Sequence, residues 1–180
     1  MKEMKHFLIV VDMQKDFVDG ALGTPEAQAI VENVVRKIRE FEGTVFVTFD
    51  THDEDYLHTS EGRRLPVPHC IKGTPGWELD ARVAEALKDK AWIPVEKPTF
   101  GAVQLPELIE SAAFRQDFGL ELIGLCTDIC VVSNALLLKA NFPEVPIFVD
   151  ASCCAGVTPA SHDAALTTMA MCQITIKGGN

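Results

Sequence analysis

Short apolar runs rich in Val and Ile alternate along this chain with longer stretches of helical periodicity. No other feature restricts the fold as much. Phe7-Leu-Ile-Val-Val11, Val45-Phe-Val-Thr-Phe49, 92–95, 120–125, 147–149 and 174–176 read as strands. Several are apolar throughout, as in a parallel sheet covered on both faces. Between them, Pro25–Glu40 carries Ile30, Val31, Val34, Val35 and Ile38 at helical spacing, and Thr24-Pro25 suits an N-cap and first turn. Helices are also predicted at about 78–88, 105–115, 129–141 and 159–170, the last opened by a second cap signature, Thr158-Pro159. Strands alternating with helices predict an α/β fold: one doubly wound domain, residues 1–180, with a mostly parallel sheet flanked by helices. No repeat, low-complexity segment or linker divides it.

Composition narrows the function. The chain has 180 residues, 47% hydrophobic and 23% charged, with 26 acidic against 16 basic side chains and a net charge of −10. No basic stripe suits nucleic acid. No apolar run approaches the roughly 20 residues of a membrane span. The apolar stretch after the N-terminal Met-Lys-Glu-Met-Lys-His is too short for a secretion signal and ends in a carboxylate, which predicts a cytoplasmic protein. The cysteines at 70, 126, 130, 153, 154 and 172 lack the dense spacing of a disulfide scaffold, so reduced thiols are expected.

In doubly wound sheets ligands bind beyond the carboxyl ends of the strands. Strand 1 ends at Asp12, strand 2 at Asp50, and strand 3 leads to Lys97. Strand 4 runs into Gly124-Leu-Cys-Thr-Asp-Ile-Cys-Val131. A carboxylate, a carboxylate–imidazole pair, an ammonium and a thiol thus reach one rim. Thr127 or Asp128 can cap a helix starting near Ile129, which would put Cys130 in a first helical turn, where the helix dipole lowers a thiol pKa. Free N–H groups there can hold an oxyanion. Cys130 is therefore the better nucleophile candidate of the two cysteines, although the motif alone equally fits two small buried residues.

The irregular segment at about 50–76 is long for a compact domain, and such loops are usually functional. Asp50 and His52, two apart, point to one side of an extended backbone. Glu61, His58 and His69 follow in the same segment. Imidazole and carboxylate ligands suit zinc, iron or manganese. The plainer reading is an acidic, solvated loop with scattered histidines.

Taken together and in this order, Asp12-Met-Gln-Lys-Asp-Phe17, Asp50-Thr-His52, Pro68-His-Cys-Ile-Lys-Gly-Thr-Pro-Gly76, Lys97-Pro-Thr-Phe100 and Thr127-Asp-Ile-Cys-Val131 resemble the isochorismatase-like cysteine hydrolases, nicotinamidase branch. The resemblance covers nearly the whole chain. It implies a catalytic Asp12, Lys97 and Cys130, and a divalent metal, zinc before iron or manganese, on Asp50, His52 and His69. Glu61 is the further ligand, with His58 as the alternative. It also implies a cis peptide between Leu125 and Cys126, with the Cys126 and Cys130 N–H groups as the oxyanion hole. The implied reaction is hydrolysis of nicotinamide through a Cys130 thioester, and the implied partners are a small amide and further copies of the chain. One departure stands out. Some nicotinamidases have a Trp just ahead of the metal-binding Pro-His, and here that region reads Leu65-Pro66-Val67. Phe17 and Trp77 are the candidates to contact a substrate ring instead, Trp77 equally suiting an anchor for the helix after it.

Three other readings are open. The substrate is another small amide; the protein is a metal or thiol sensor using Cys126 and Cys130 as a redox pair; or the sheet binds a dinucleotide. The last lacks the Gly-x-Gly-x-x-Gly turn after strand 1.

Overall fold

The computed structural model describes residues 4–179. Met1–Glu3, part of the N-terminal segment read above for a secretion signal, lie outside the described residues. Strands β1 (Lys5–Val11), β2 (Thr44–Asp50), β3 (Trp92–Lys97), β4 (Phe118–Leu125), β5 (Ile147–Ala155) and β6 (Thr175–Lys177) form one parallel sheet in the order β3-β2-β1-β4-β5-β6. The chain winds outward from β1 in one direction, then restarts at β4 and winds the other way. The β1/β4 boundary is the switch point at which such sheets open a crevice.

The continuous apolarity of β1 follows from its central place. Phe7, Ile9 and Val11 face one core, packed with residues of α5 (Leu105–Ala113), α6 (Val132–Asn141) and α7 (Pro159–Met171). Leu8 and Val10 face the other core, under α2 (Pro25–Glu40) and α4 (Ala81–Leu87). A strand buried on both faces has no polar phase. In α2 the Thr24 hydroxyl accepts the Ala27 N–H at 3.0 Å, Pro25 opens the first turn, and the five expected apolar positions are buried. Full burial of Val31, Val34 and Ile38 contributes about 1.5–3 kcal/mol each relative to exposure. Thr158 and Ser161 form a reciprocal cap on α7.

Two boundaries differ most from the sequence reading. Strand β5 continues past Val149 through Asp150-Ala-Ser-Cys-Cys-Ala155, whose small residues carry little strand propensity of their own; pairing with β4, through a register shift between Leu122 and Gly124, makes them a strand. The 50–76 segment is not irregular throughout. It holds a 3₁₀ turn at Tyr56–His58, the short helix α3 (Ser60–Arg64) and a second 3₁₀ turn at Pro75–Trp77. The Tyr56 hydroxyl donates to Leu65 O at 2.9 Å, and His52 bridges to Ile71. Helix α1 (Lys15–Val18) follows β1 directly. Among the described residues no helix is long and apolar enough to cross a membrane.

Candidate active site

Four strand ends supply the site. Asp12 follows β1 with φ +47°, a left-handed conformation that an aspartate tolerates better than most residues. Its carboxylate is fully buried, and Oδ1 accepts the Thr48 hydroxyl at 2.6 Å. Lys97, the last residue of β3, is also fully buried. Its Nζ lies 2.7 Å from Asp12 Oδ2, 3.4 Å from Cys130 Sγ and 3.4 Å from Asp50 Oδ1, and it donates to Thr99 O at 3.0 Å. One ammonium therefore touches the acid, the thiol and a carboxylate of the neighbouring cluster. Although Asp12 Oδ2 ion-pairs with Lys97, it makes no hydrogen bond of good geometry.

Burial raises the Asp12 pKa above its usual value, Lys97 opposes that, and the charge of Asp50 adds to it. Burial would lower the Lys97 pKa, but the charges of Asp12, Cys130 and Asp50 outweigh it, so the amine stays protonated. The expected low pKa of Cys130 is corrected here. Burial and the Asp12 carboxylate push the thiol well up, with only Lys97 pulling it down. Nor does Cys130 lie, as the sequence predicts, in the first turn of an α-helix. It sits in a π-type turn, Thr127–Val131, with Cys126 in the N-cap place, and α6 begins only at Val132. Neither Thr127 nor Asp128 caps this turn. The Thr127 hydroxyl meets His162 Nδ1 at 2.7 Å, and the Asp128 carboxylate accepts the Val157 N–H. The acid and the thiol are thus both raised by burial, while the amine between them stays protonated.

The Leu125–Cys126 peptide is cis, as the resemblance implies. Among the described residues nothing takes up the Cys126 N–H, so it is free to receive an oxyanion. Burial, followed by the charges of Asp128 and Asp12, raises the Cys126 thiol to about 12.

The second cluster is Asp50, His52, Glu61 and His69, whose ligand atoms all lie within 4.8 Å of one another. His52 Nε2 and His69 Nε2 stand 3.0 and 3.4 Å from Asp50 Oδ2, and 3.8 and 3.6 Å from Glu61 Oε1. His69 Nδ1–H donates to Val67 O at 2.8 Å, leaving Nε2 as the free ligand atom. Burial depresses the His69 pKa, but its bonds to Asp50 and Glu61 overcome this and raise it to about 10. A box that binds a proton this firmly is short of positive charge. Two imidazoles and two carboxylates around one point fit a divalent ion. His58 is not part of the box; its side chain is 82% exposed and pairs with Asp55.

Both clusters open onto one cavity of about 640 Å³, lined among others by Asp50, Glu61, His69, Cys126 and Cys130. Its walls include Phe17, Leu22, Leu65, Phe100, Ile129 and Val157. Phe17 packs against His69 with ring centroids 5.5 Å apart. Leu65 supplies a branched aliphatic wall in the region where some nicotinamidases carry Trp. Trp77 is not among the lining residues. Its ring packs on Phe49 at 5.3 Å and its indole N–H donates to Thr51, which anchors the turn ahead of α4.

Three supporting residues escaped the sequence reading. Buried Gln14 accepts from Asp50 N and donates to Asp50 O and Trp77 O, clamping the end of β2. Thr48 holds Asp12. Buried Asn134 donates to Cys130 O and Phe100 O and accepts from Ala102 N, tying the thiol segment to the loop after β3. Thr48 and Asn134 are polar residues in apolar surroundings, which is the signal that could have marked them.

Residues 6–178 match the family model described as the isochorismatase domain. The chain belongs to the isochorismatase family. The "uncharacterized isochorismatase family protein PncA" of Bacillus subtilis (strain 168) is 34% identical over 143 residues, covering 74% of this chain and 78% of its own. The crystal structure of nicotinamidase/pyrazinamidase PncA from Bacillus subtilis superposes with a TM-score of 0.84 at 30% identity, covering 97% of this chain and 100% of that one. A pyrazinamidase of Pyrococcus horikoshii in complex with zinc gives 0.77 at 26%, over 96% and 98%. The likeness lies in the nicotinamidase branch, and the chain is an amidohydrolase of this isochorismatase family.

Proposed function

We propose that the protein is a metal-dependent nicotinamidase that converts nicotinamide and water to nicotinate and ammonia through a thioester on Cys130. One observation carries this reading: the linked Asp12–Lys97–Cys130 group and the Asp50–His52–Glu61–His69 box open onto the same apolar-walled cavity. A sensor built on Cys126 and Cys130 would leave the buried Asp12–Lys97 pair without a task.

In the proposed sequence, Asp12 takes the Cys130 thiol proton as sulfur attacks the carboxamide carbon. The S–C bond forms, and the carbonyl π pair moves to oxygen, which the Cys126 and Cys130 N–H groups receive; such donors contribute about 3 kcal/mol each. As the carbonyl re-forms, the C–N bond breaks, and Asp12 returns its proton to nitrogen, releasing ammonia. Asp12 then deprotonates water for attack on the thioester, the S–C bond breaks, Asp12 returns that proton to the departing sulfur to restore the thiol, and the acid formed loses its own proton to solvent as nicotinate. A carboxylate performs both transfers best when its pKa lies toward the working pH, the direction in which burial moves Asp12. Lys97, held protonated, stabilises the developing thiolate and keeps Asp12 in place. Asp50, His52, Glu61 and His69 would hold the divalent ion, zinc before iron or manganese, and when bound it supplies a Lewis acid for the pyridine nitrogen. Phe17 and Leu65 confine the ring.

The test is ammonia release from nicotinamide by metal-replete protein. Turnover supports the proposal; its absence, with another small amide hydrolysed instead, moves the substrate elsewhere in the family. Elemental analysis separates the ligand choices: His69→Ala loses the metal and His58→Ala retains it. Metal lost from His58→Ala would reverse the choice of Glu61 over His58.

A further inference from the structure

The turn that carries the nucleophile has no capping bond of its own. In Thr127–Val131 no side chain caps the start, and the two polar residues at its head face away from it. Both are fastened to one other segment, the 156–162 stretch that leaves β5 and enters α7. Thr127 is fully buried, and its hydroxyl lies 2.7 Å from His162 Nδ1. The Asp128 carboxylate receives the Val157 N–H on both oxygens, at 3.2 and 3.1 Å. The segment is itself firm, since Thr158 and Ser161 cap α7 reciprocally. Gly156 packs so closely that an added Cβ would come within 2.9 Å of the His162 side chain. Gly156 and Val157 also line the cavity that Cys126 and Cys130 line.

We infer that His162 is a positioning residue for the hydrolytic reaction: through Thr127 it fixes the π-type turn, and with it the Cys126 N–H, the Cys130 N–H and the Cys130 sulfur. His162 does not line the cavity and touches no reacting atom in the proposed sequence. The inference rests on the Cys130 reading above. Thr127 can donate to or accept from the imidazole, so the link needs a polar atom at the Nδ1 position rather than a particular charge. An asparagine amide reaches nearly the same place, and an alanine reaches nothing.

The physical consequence is specific. Ground-state binding depends on the cavity walls and the metal box, neither of which contains His162. Oxyanion stabilisation and thiol attack depend on the turn, where small misplacements cost up to a hundredfold. His162→Ala should therefore lower kcat about ten- to a hundredfold and leave KM nearly unchanged, whereas His162→Asn should recover most of kcat. Thr127→Val should give a similar loss, and the double variant no further loss, because one link is broken in each case.

The experiment is steady-state kinetics on these four metal-replete variants beside the wild type, with thermal midpoints recorded for each. A selective kcat loss, rescued by Asn and non-additive with Thr127→Val, supports the inference. It is overturned if His162→Ala lowers the thermal midpoint with kcat intact, if Asn fails to rescue, or if the two losses add. Absence of turnover in the wild type itself would instead strike the Cys130 reading. If His162→Ala does not fold, the Asn variant alone and combined with Thr127→Val still discriminates, because the inference requires Asn to keep most of kcat alone and the pair to lose no more than Thr127→Val does by itself.

Discussion

At the scale of single residues, the site is governed by burial of charge. Cys130 is not activated by a low pKa of its own. Burial and Asp12 push its thiol pKa up, which favours the proposed coupling of attack to proton transfer onto Asp12. Asp12 is raised by the same burial. The acid limb of kcat/KM for the free enzyme should accordingly lie above 3.8, the usual carboxylate value. Activity falls as pH drops through the raised Asp12 pKa, since a protonated acid cannot accept the thiol proton. Cys130→Ala should abolish turnover, while Cys126→Ala should keep much of it, because the proposed reaction uses the Cys126 backbone N–H rather than its sulfur. A pH–rate profile with the two alanine variants checks this, and activity that survives in Cys130→Ala but not in Cys126→Ala would exchange the two roles. The Asp50–His52–Glu61–His69 box follows the same logic. Against burial, its two carboxylates raise the His69 pKa to about 10, the direction expected of a box whose acids call for positive charge.

At the scale of elements, the active rim depends on where strands stop. Strand β4 ends against β1 at Gly124, which pairs with Val11 and has φ +117°. A Cβ there would lie 2.1 Å from Val11 O. Gly124→Ala therefore meets both an unfavourable backbone region and a backbone clash, and something in β1 or β4 must shift. A loss of at least about 2 kcal/mol in stability is expected. Activity should fall with it, since Asp12 follows Val11 and Cys126 follows the same strand end. Denaturant unfolding beside kinetics would reveal it, and wild-type values in both would contradict the account. Helix α2 was readable from its Thr24 cap and apolar stripe, and α7 from its Thr158 cap. The segment from Thr127 to Val131 was not, because a π-type turn and an α-helical turn share the same apolar pattern over five residues. What separates them is where the Thr127 and Asp128 side chains find partners, and those partners lie on a segment remote in sequence.

At the scale of the whole molecule, the face of the sheet under α2 is held by charge as well as by apolar packing. Lys37 of α2 reaches Asp150 at 2.7 Å and Glu121 at 2.8 Å, and Lys177 approaches Glu121 at 3.7 Å. Burial would raise the Asp150 pKa, but hydrogen bonds from Lys37 and Ser152 outweigh it and hold it below 3.8. A lowered folded pKa means that the contribution is complete above pH 3.8 and disappears as pH falls through the folded value. Asp150→Asn should cost about 1–2 kcal/mol at neutral pH, discounted because Lys37 still meets solvent, and the cost should shrink in acid. Urea unfolding at several pH values tests this, and a pH-independent difference would refute it. The sequence by itself determined the alternation of strand and helix, hence a parallel sheet whose carboxyl ends carry Asp12, Asp50, Lys97 and the Cys126–Cys130 turn. These are local patterns, set by side-chain period and cap chemistry. Only the tertiary structure decided that Glu61 rather than His58 joins the box, that Trp77 serves the core while Leu65 faces the cavity, and that Gln14, Thr48 and Asn134 brace the rim. The reason is physical: a ligand's reach, a cavity wall and a buried hydrogen bond each depend on distances between segments far apart in the chain. No residue's type or spacing encodes those distances until the sheet has closed around them.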